Sequence, residues 1–336
     1  MGLKGALTTC SAAFKGYVLK KPSPMNVVLT TNTRCNFQCD YCKIWKRDEG
    51  ELRTVQIESL IDQMTKLGTR RLGLTGGEPL LREDMGHIIS YAKSRGLYVS
   101  LNTNGALVSE RIDELKDLDL LSLSLDGPED IHNLQKKDHA YQGVMDAIQA
   151  GKRCGMSVVT TTTLTQNNLH TVDFILSKAK EMGCKSAFQL IHHPPAASGE
   201  EADAFLPQPE EYRQVLKRLI QLKKQSPKLI LNSLRYFEIL HAWQDYTRPV
   251  LDISPFSVRC WAGRFFVHID VNGDVYPCHQ LLKTSKVPNF LETSLEDALN
   301  NIPDHACEIC MAGDYLEYNL LFSLNPNAVK NILQAL

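Results

Sequence analysis

Arg34-Cys35-Asn36-Phe37-Gln38-Cys39-Asp40-Tyr41-Cys42 follows directly on the apolar run Asn26–Thr31. The spacing C-x3-C-x2-C supplies three thiolates to one iron–sulfur cube and leaves its fourth iron without a protein ligand. An open iron can bind a small molecule and pass it an electron, so the spacing implies chemistry as well as structure. A bare cysteine triplet is also half of a zinc site. Gly76-Gly77-Glu78-Pro79 lies roughly one strand–helix unit further along, where its glycines allow close backbone approach.

Outward from that stretch, short β-branched or Leu-rich runs alternate with helical patterns. The expected strands are Asn26–Thr31, Arg71–Thr75, Tyr98–Asn102, Leu120–Leu125, Ser157–Leu164 and Ala187–Ile191. Between them lie the expected helices Val55–Leu67, Glu83–Arg95, Tyr141–Cys154 and Thr171–Met182, with Gly68, Gly96 and Gly183 placed as helix-ending residues. Such alternation means parallel strands joined by right-handed crossovers. Six units are too few to close an eight-unit barrel.

The cysteine triplet and the Gly-Gly-Glu-Pro loop together resemble the radical S-adenosylmethionine (radical SAM) superfamily. The resemblance implies an α/β fold, a partial (β/α)6 TIM-like barrel, with a 4Fe–4S cluster on Cys35, Cys39 and Cys42 that chelates S-adenosylmethionine. It also implies roles around that cofactor: Tyr41 at the adenine, and Gly76, Gly77, Glu78 and Pro79 at the methionine ammonium. Ser124 and Asp126 are implied at the ribose and carboxylate, with Asn102, Thr163 and Asn167 as further contacts. Ser124 and Asp126 share strand parity, so both point to one face. Glu78 has an alternative as a helix-start carboxylate. The implied reaction is reductive cleavage of S-adenosylmethionine to a 5′-deoxyadenosyl radical, which removes a hydrogen atom from substrate.

A second cysteine set, Cys260, Cys278, Cys307 and Cys310, suits tetrahedral zinc or a fully ligated iron–sulfur cluster. Asn272-Gly273 between Arg264–Val271 and Asp274–Tyr276 is a hairpin signal. A two-residue turn there places Cys278 opposite Val267, and Cys260–Gly263 must curl back to share the site. This hairpin resembles the SPASM and twitch auxiliary-cluster modules of radical SAM enzymes. The spacing is similar to that of twitch-type 2-deoxy-scyllo-inosamine dehydrogenases, which implies one auxiliary 4Fe–4S cluster that relays an electron or shapes the pocket, with a metal that only staples the module as the alternative. His192, His193, Tyr236, Arg259, Trp261 and Arg264 are the candidates near substrate, each with a packing role as the alternative.

The 336 residues carry net charge −1 with both signs interspersed, against a nucleic-acid footprint. No run reaches the ~18 apolar residues of a membrane span, and no secretory pattern opens the chain. With ten cysteines and no such pattern, metal binding in the cytoplasm is the expectation, not disulfides. Cys10, Cys154 and Cys184 are expected as small buried apolar residues. The expected organisation is an N-terminal helix over 1–22, the barrel over 23–195, a linker and helical pair over 196–256, and the cluster module over 257–336. The N-terminal helix is amphipathic, expected to pack on the barrel, with lipid contact as its alternative. The expected substrate is a small metabolite or lipid precursor, with flavodoxin or ferredoxin as a low-potential electron donor. The alternatives are a maturase of ribosomally made peptides and, from another class, a non-catalytic zinc scaffold.

Overall fold

A computed structural model describes residues 14–136, 139–191, 204–326 and 328. The expectations at His192, His193, Cys10 and most of the N-terminal helix lie outside the described residues. The six expected strands form as β1 (Asn26–Thr30), β2 (Arg71–Thr75), β3 (Tyr98–Thr103), β4 (Leu120–Ser124), β5 (Ser157–Leu164) and β6 (Lys185–Leu190). Neighbours run parallel throughout. Alternate residues of the strands, among them Val27, Leu29, Leu72, Leu74, Val99, Leu101, Leu121 and Leu123, are fully buried. Ile57, Leu60, Ile61 and Met64 of the helix Thr54–Leu67, and Ile88, Ile89 and Ala92 of Met85–Ser94, supply the facing apolar surface. This period-two against period-3.6 match orients the opposite strand face, with Ser100, Asn102, Ser122, Ser124, Thr161 and Thr163, to the inside of the partial barrel.

The sheet continues past the first barrel strand. After β7 (Val250–Leu251), β8 (Phe266–Ile269) pairs parallel with β1, and β9 (Val275–Tyr276) pairs antiparallel with β8, giving the order β6-β5-β4-β3-β2-β1-β8-β9. β10 (Ile309–Cys310) pairs with β7 in a separate two-stranded sheet. The hairpin register differs from expectation by one residue: His268 faces Tyr276 and Ile269 faces Val275. Asp270 and Asp274 close a three-residue loop through Asp270 N–H to Asp274 O (2.9 Å), with Gly273 at φ 94°. A left-handed glycine at the loop's end fits a three-residue hairpin, not the two-residue turn read from Asn-Gly. Extrapolated, this register sets Cys278 beyond the ladder opposite Phe266 instead of Val267, because a one-residue slip reverses the faces.

The helix Gly313–Phe322 packs against Gln189 of β6 at its first residue and reaches the start of β2 through Tyr318. Arg71, first in β2, donates to the Tyr318 hydroxyl (2.6 Å) and to Ser100 Oγ (3.3 Å). The N-terminal segment packs on the C-terminal part of the chain: Tyr17 lies against Trp261 and Phe265 and donates to Phe322 O (2.7 Å). Arg259 stacks on Trp261 at 3.7 Å, and Tyr236 is fully buried, so these candidates for substrate contact make packing interactions. Cys184 is buried as expected, but Cys154 is exposed, because it lies just past the solvent-facing end of the helix Ala140–Arg153. No helix among the described residues is long and apolar enough to cross a membrane.

Gly273 carries a positive φ, and a Cβ there would lie 2.9 Å from Asn289 Oδ1. Gly273→Ala is expected to lower stability by about 1–3 kcal/mol, the cost of a strained left-handed residue, read as a lower denaturation midpoint.

Candidate functional site

The loop after β1 is held by the loop after β2. Gly77 N–H donates to Asn32 O (3.0 Å), Glu78 N–H to Arg34 O (2.7 Å), and Asn32 Nδ2 returns a bond to Glu78 O (2.9 Å). A Cβ on Gly76 would sit 2.7 Å from Asn32 O, and one on Gly77 would sit 2.2 Å from Arg34 O. The two glycines therefore permit backbone-to-backbone contact with the cysteine loop, a role the sequence reading had given to ligand approach. Within that loop Cys42 N–H turns back onto Cys39 O (3.0 Å), and Phe37 N–H donates to Cys35 Sγ (3.4 Å).

Glu78 is fully buried and its carboxylate accepts from Thr103 Oγ1 (2.7 Å), Asn104 N–H (2.8 Å) and Leu80 N–H (3.0 Å). Burial raises its pKa, and these three donors oppose the rise. Its alternative as a helix-start carboxylate is present in short form, since it caps the single turn Pro79–Leu81. Asn104 Nδ2 then reaches Asn36 Oδ1 in the cysteine loop (2.7 Å). One buried carboxylate thus ties together the loops after β1, β2 and β3.

Asp126 is the second tie. Its carboxylate accepts from the Tyr41 hydroxyl (2.9 Å) and Thr163 N–H (3.3 Å), and pairs with Lys136 Nζ (3.1 Å). Its backbone N–H donates to His132 Nδ1 (3.1 Å), and its carbonyl accepts from Asn168 Nδ2 (3.0 Å). Sequence reasoning missed Lys136, His132 and Asn168. Asn167, its choice, is exposed, whereas Asn168 beside it is fully buried and also holds Thr163 O and Thr165 N–H. No local periodicity separates two adjacent asparagines in a loop. Ser124 is half-buried and Asn102 exposed on the inner face, while Thr163 Oγ1 accepts from Gln189 (3.0 Å).

Burial raises Cys35, and pushes Cys39 up to about 11; neighbouring thiols of the first loop raise each of them further, while Lys136 pulls both down. Buried thiols kept neutral by desolvation, grouped on one short loop, suit ligands whose charge would be met by iron. In the second set, the Cys260–Gly263 segment does curl back: Gly263 N–H bonds both Phe266 O (2.9 Å) and Pro277 O (3.3 Å). Cys260 donates its S–H to Cys307, which holds Cys260 protonated and lowers Cys307, while burial raises Cys278 and pushes Cys310 up to about 12. His305 joins this set, with one donor atom each from Cys260, His305 and Cys307 all within 4.8 Å of one another. The sequence signal for it was only its place two residues before Cys307, and it was overlooked. This donor set fits an iron–sulfur-type metal centre.

Burial holds His132 down to about 4 and His268 to about 3, so both stay neutral in the folded chain well below the ordinary imidazole range. The unfolded chain binds those protons first as pH falls, so stability is full above about pH 6.5 and is lost through about pH 4 for His132 and about pH 3 for His268. His132 accounts for about 3 kcal/mol of this in full, and His132→Gln should flatten the loss between pH 7 and pH 4.5 by about 2 kcal/mol in denaturant titrations.

Known proteins carry the same elements. The radical SAM superfamily model matches residues 29–179, and the iron–sulfur cluster-binding SPASM domain model matches residues 260–310. An AdoMet-dependent heme synthase of Methanosarcina barkeri (strain Fusaro / DSM 804) is 27% identical over 277 residues, covering 77% of this chain and 78% of that one. SuiB of Streptococcus suis bound to precursor peptide SuiA superposes with a TM-score of 0.69 at 15% identity, over 88% of this chain and 69% of that one. The native anSMEcpe structure with bound AdoMet and Kp18Cys peptide superposes with a TM-score of 0.66 at 18% identity, over 93% of this chain and 99% of that one. The expected small-molecule or lipid-precursor partner is corrected here, since the structural relative SuiB was captured with a precursor peptide. Motif residues specify how a radical is made, and they carry no measure of what fits over the barrel mouth. With these family matches on the fold and loops described above, the chain is an enzyme of the radical SAM superfamily with a C-terminal SPASM domain.

Proposed function

We propose that this enzyme is a peptide maturase, removing a hydrogen atom from one residue of a peptide substrate. The observation that carries the reading is the likeness, over about nine-tenths of the chain, to two enzymes whose structures hold peptides. In anSMEcpe that likeness spans 99% of the peptide-bound chain, so a peptide can be handled by the extent of fold shared here. A cluster on Cys35, Cys39 and Cys42 with S-adenosylmethionine at the loops of Tyr41, Gly76, Gly77, Glu78, Ser124 and Asp126 supplies the 5′-deoxyadenosyl radical when bound. Glu78 and Asp126 hold those loops in register. Cys260, Cys278, Cys307 and Cys310 would hold the auxiliary 4Fe–4S cluster, suited to taking one electron from the substrate radical that hydrogen removal leaves, which completes a two-electron oxidation.

The test is anaerobic turnover of the reconstituted protein with dithionite, S-adenosylmethionine and synthetic peptides encoded by reading frames beside its gene. With deuterated peptide, label is expected in 5′-deoxyadenosine and a matching mass change in the peptide. Label transfer from a haem precursor, and from no peptide, would overturn the reading.

Cys35→Ala/Cys39→Ala/Cys42→Ala protein is expected to lose all 5′-deoxyadenosine formation while keeping roughly four irons on the second cysteine set. Iron analysis and chromatography of the nucleoside read both quantities.

A further inference from the structure

We propose that Lys136 is a positioning residue for the cysteine loop, and that its charge sets the reduction potential of the cluster which that loop would carry. Four observations converge on it. Its side chain is only 9% exposed, although it stands just past the end of the helix Glu129–Gln135. Its Nζ lies 3.1 Å from Asp126 Oδ2 and donates to the Tyr41 hydroxyl. The same ammonium sits over the Tyr41 ring, 4.9 Å from its centroid. Tyr41 in turn is the residue before Cys42 and donates to Asp126. Lys136 therefore grips both faces of the link between the cysteine loop and the end of β4, through an ion pair, a hydrogen bond and a cation–π contact.

A buried cation is costly without a purpose or a partner. Asp126 is one partner, and the Tyr41 hydroxyl, on the residue before Cys42, is the other, so the ammonium is held against the cysteine loop. Cluster potentials depend on net charge and on the field around the sulfurs. Adding one electron to a thiolate-ligated cluster makes it more negative, so a fixed positive charge nearby favours the reduced form. A neighbouring negative charge does the opposite. Lys136 and Asp126 should thus push the potential in opposite directions, although both sit in one hydrogen-bonded knot.

The inference rests on the reading that Cys35, Cys39 and Cys42 hold the cluster. That reading fails if Cys35→Ala/Cys39→Ala/Cys42→Ala protein keeps the reduced-cluster paramagnetic signal that changes on adding S-adenosylmethionine. The inference itself is tested by redox titration of that signal in the full chain, without substrate. Lys136→Met is expected to move the midpoint to more negative potential by about tenfold in the reduced-to-oxidised ratio, or ~59 mV for one electron. Lys136→Arg is expected to stay near wild type, and Asp126→Asn to move the midpoint the other way. Unchanged midpoints in Lys136→Met and Asp126→Asn would overturn the inference, as would a shift of both in one direction, which marks loop displacement and not charge. If Lys136→Met takes up no iron, Asp126→Asn decides: a midpoint at or below wild type overturns the inference.

Discussion

The contact on which the site depends is a backbone one, between Gly76-Gly77-Glu78 and the Asn32–Arg34 segment that leads into the cysteines. It requires the absence of two Cβ atoms, since each would fall inside the van der Waals radius of a carbonyl oxygen. With the loops locked at that distance, the carboxylate of Glu78 lands where Thr103 and Asn104 can reach it. A buried carboxylate without those donors would be strongly destabilising, so the β3 loop is drawn into the same arrangement. The cysteine loop is fixed on one side by Glu78 and on the other by Asp126.

β1 also joins the two metal-ligating regions. The cysteine loop leaves its C-terminal end, and β8, which leads into the hairpin carrying Cys278, pairs along its open edge. Thr30 Oγ1 and His268 Nε2 meet at 2.9 Å, binding the end of β1 to β8 side by side. Arg47, a few residues past the cysteines, pairs with the buried Asp270 at the hairpin turn (2.6 Å). A parallel pair next to a hairpin is rigid at the level of its backbone ladder. The hairpin that leads to Cys278 is therefore joined to the cysteine loop through the strand ladder.

Nearly all of the site chemistry sits at the strand ends, yet it is held by buried polar groups more than by apolar contact. Asn168, Thr103, His132 and Lys136 each satisfy a donor or acceptor that would otherwise be buried alone. Such a network specifies one arrangement of loops, because any shift leaves several groups unpaired at once. The apolar layer between strands and helices fixes the frame; the polar network fixes the loops upon it.

The strands, the helices between them and the two cysteine sets were legible in the sequence, because period-two and period-3.6 patterns and ligand spacing are local properties. Gly76 and Gly77 were also legible as glycines that something must approach, but the sequence could not say that a neighbouring loop does so. The hairpin was visible in Asn272-Gly273, yet its register was decided by Gly273 closing a three-residue loop, and its place beside β1 by a pairing some 240 residues apart in sequence. Lys136, His132, Asn168 and His305 carry no pattern of their own. Their roles arise only where the fold brings their polar atoms to groups from distant segments, since burial and partnership are properties of the folded surroundings and not of the residue.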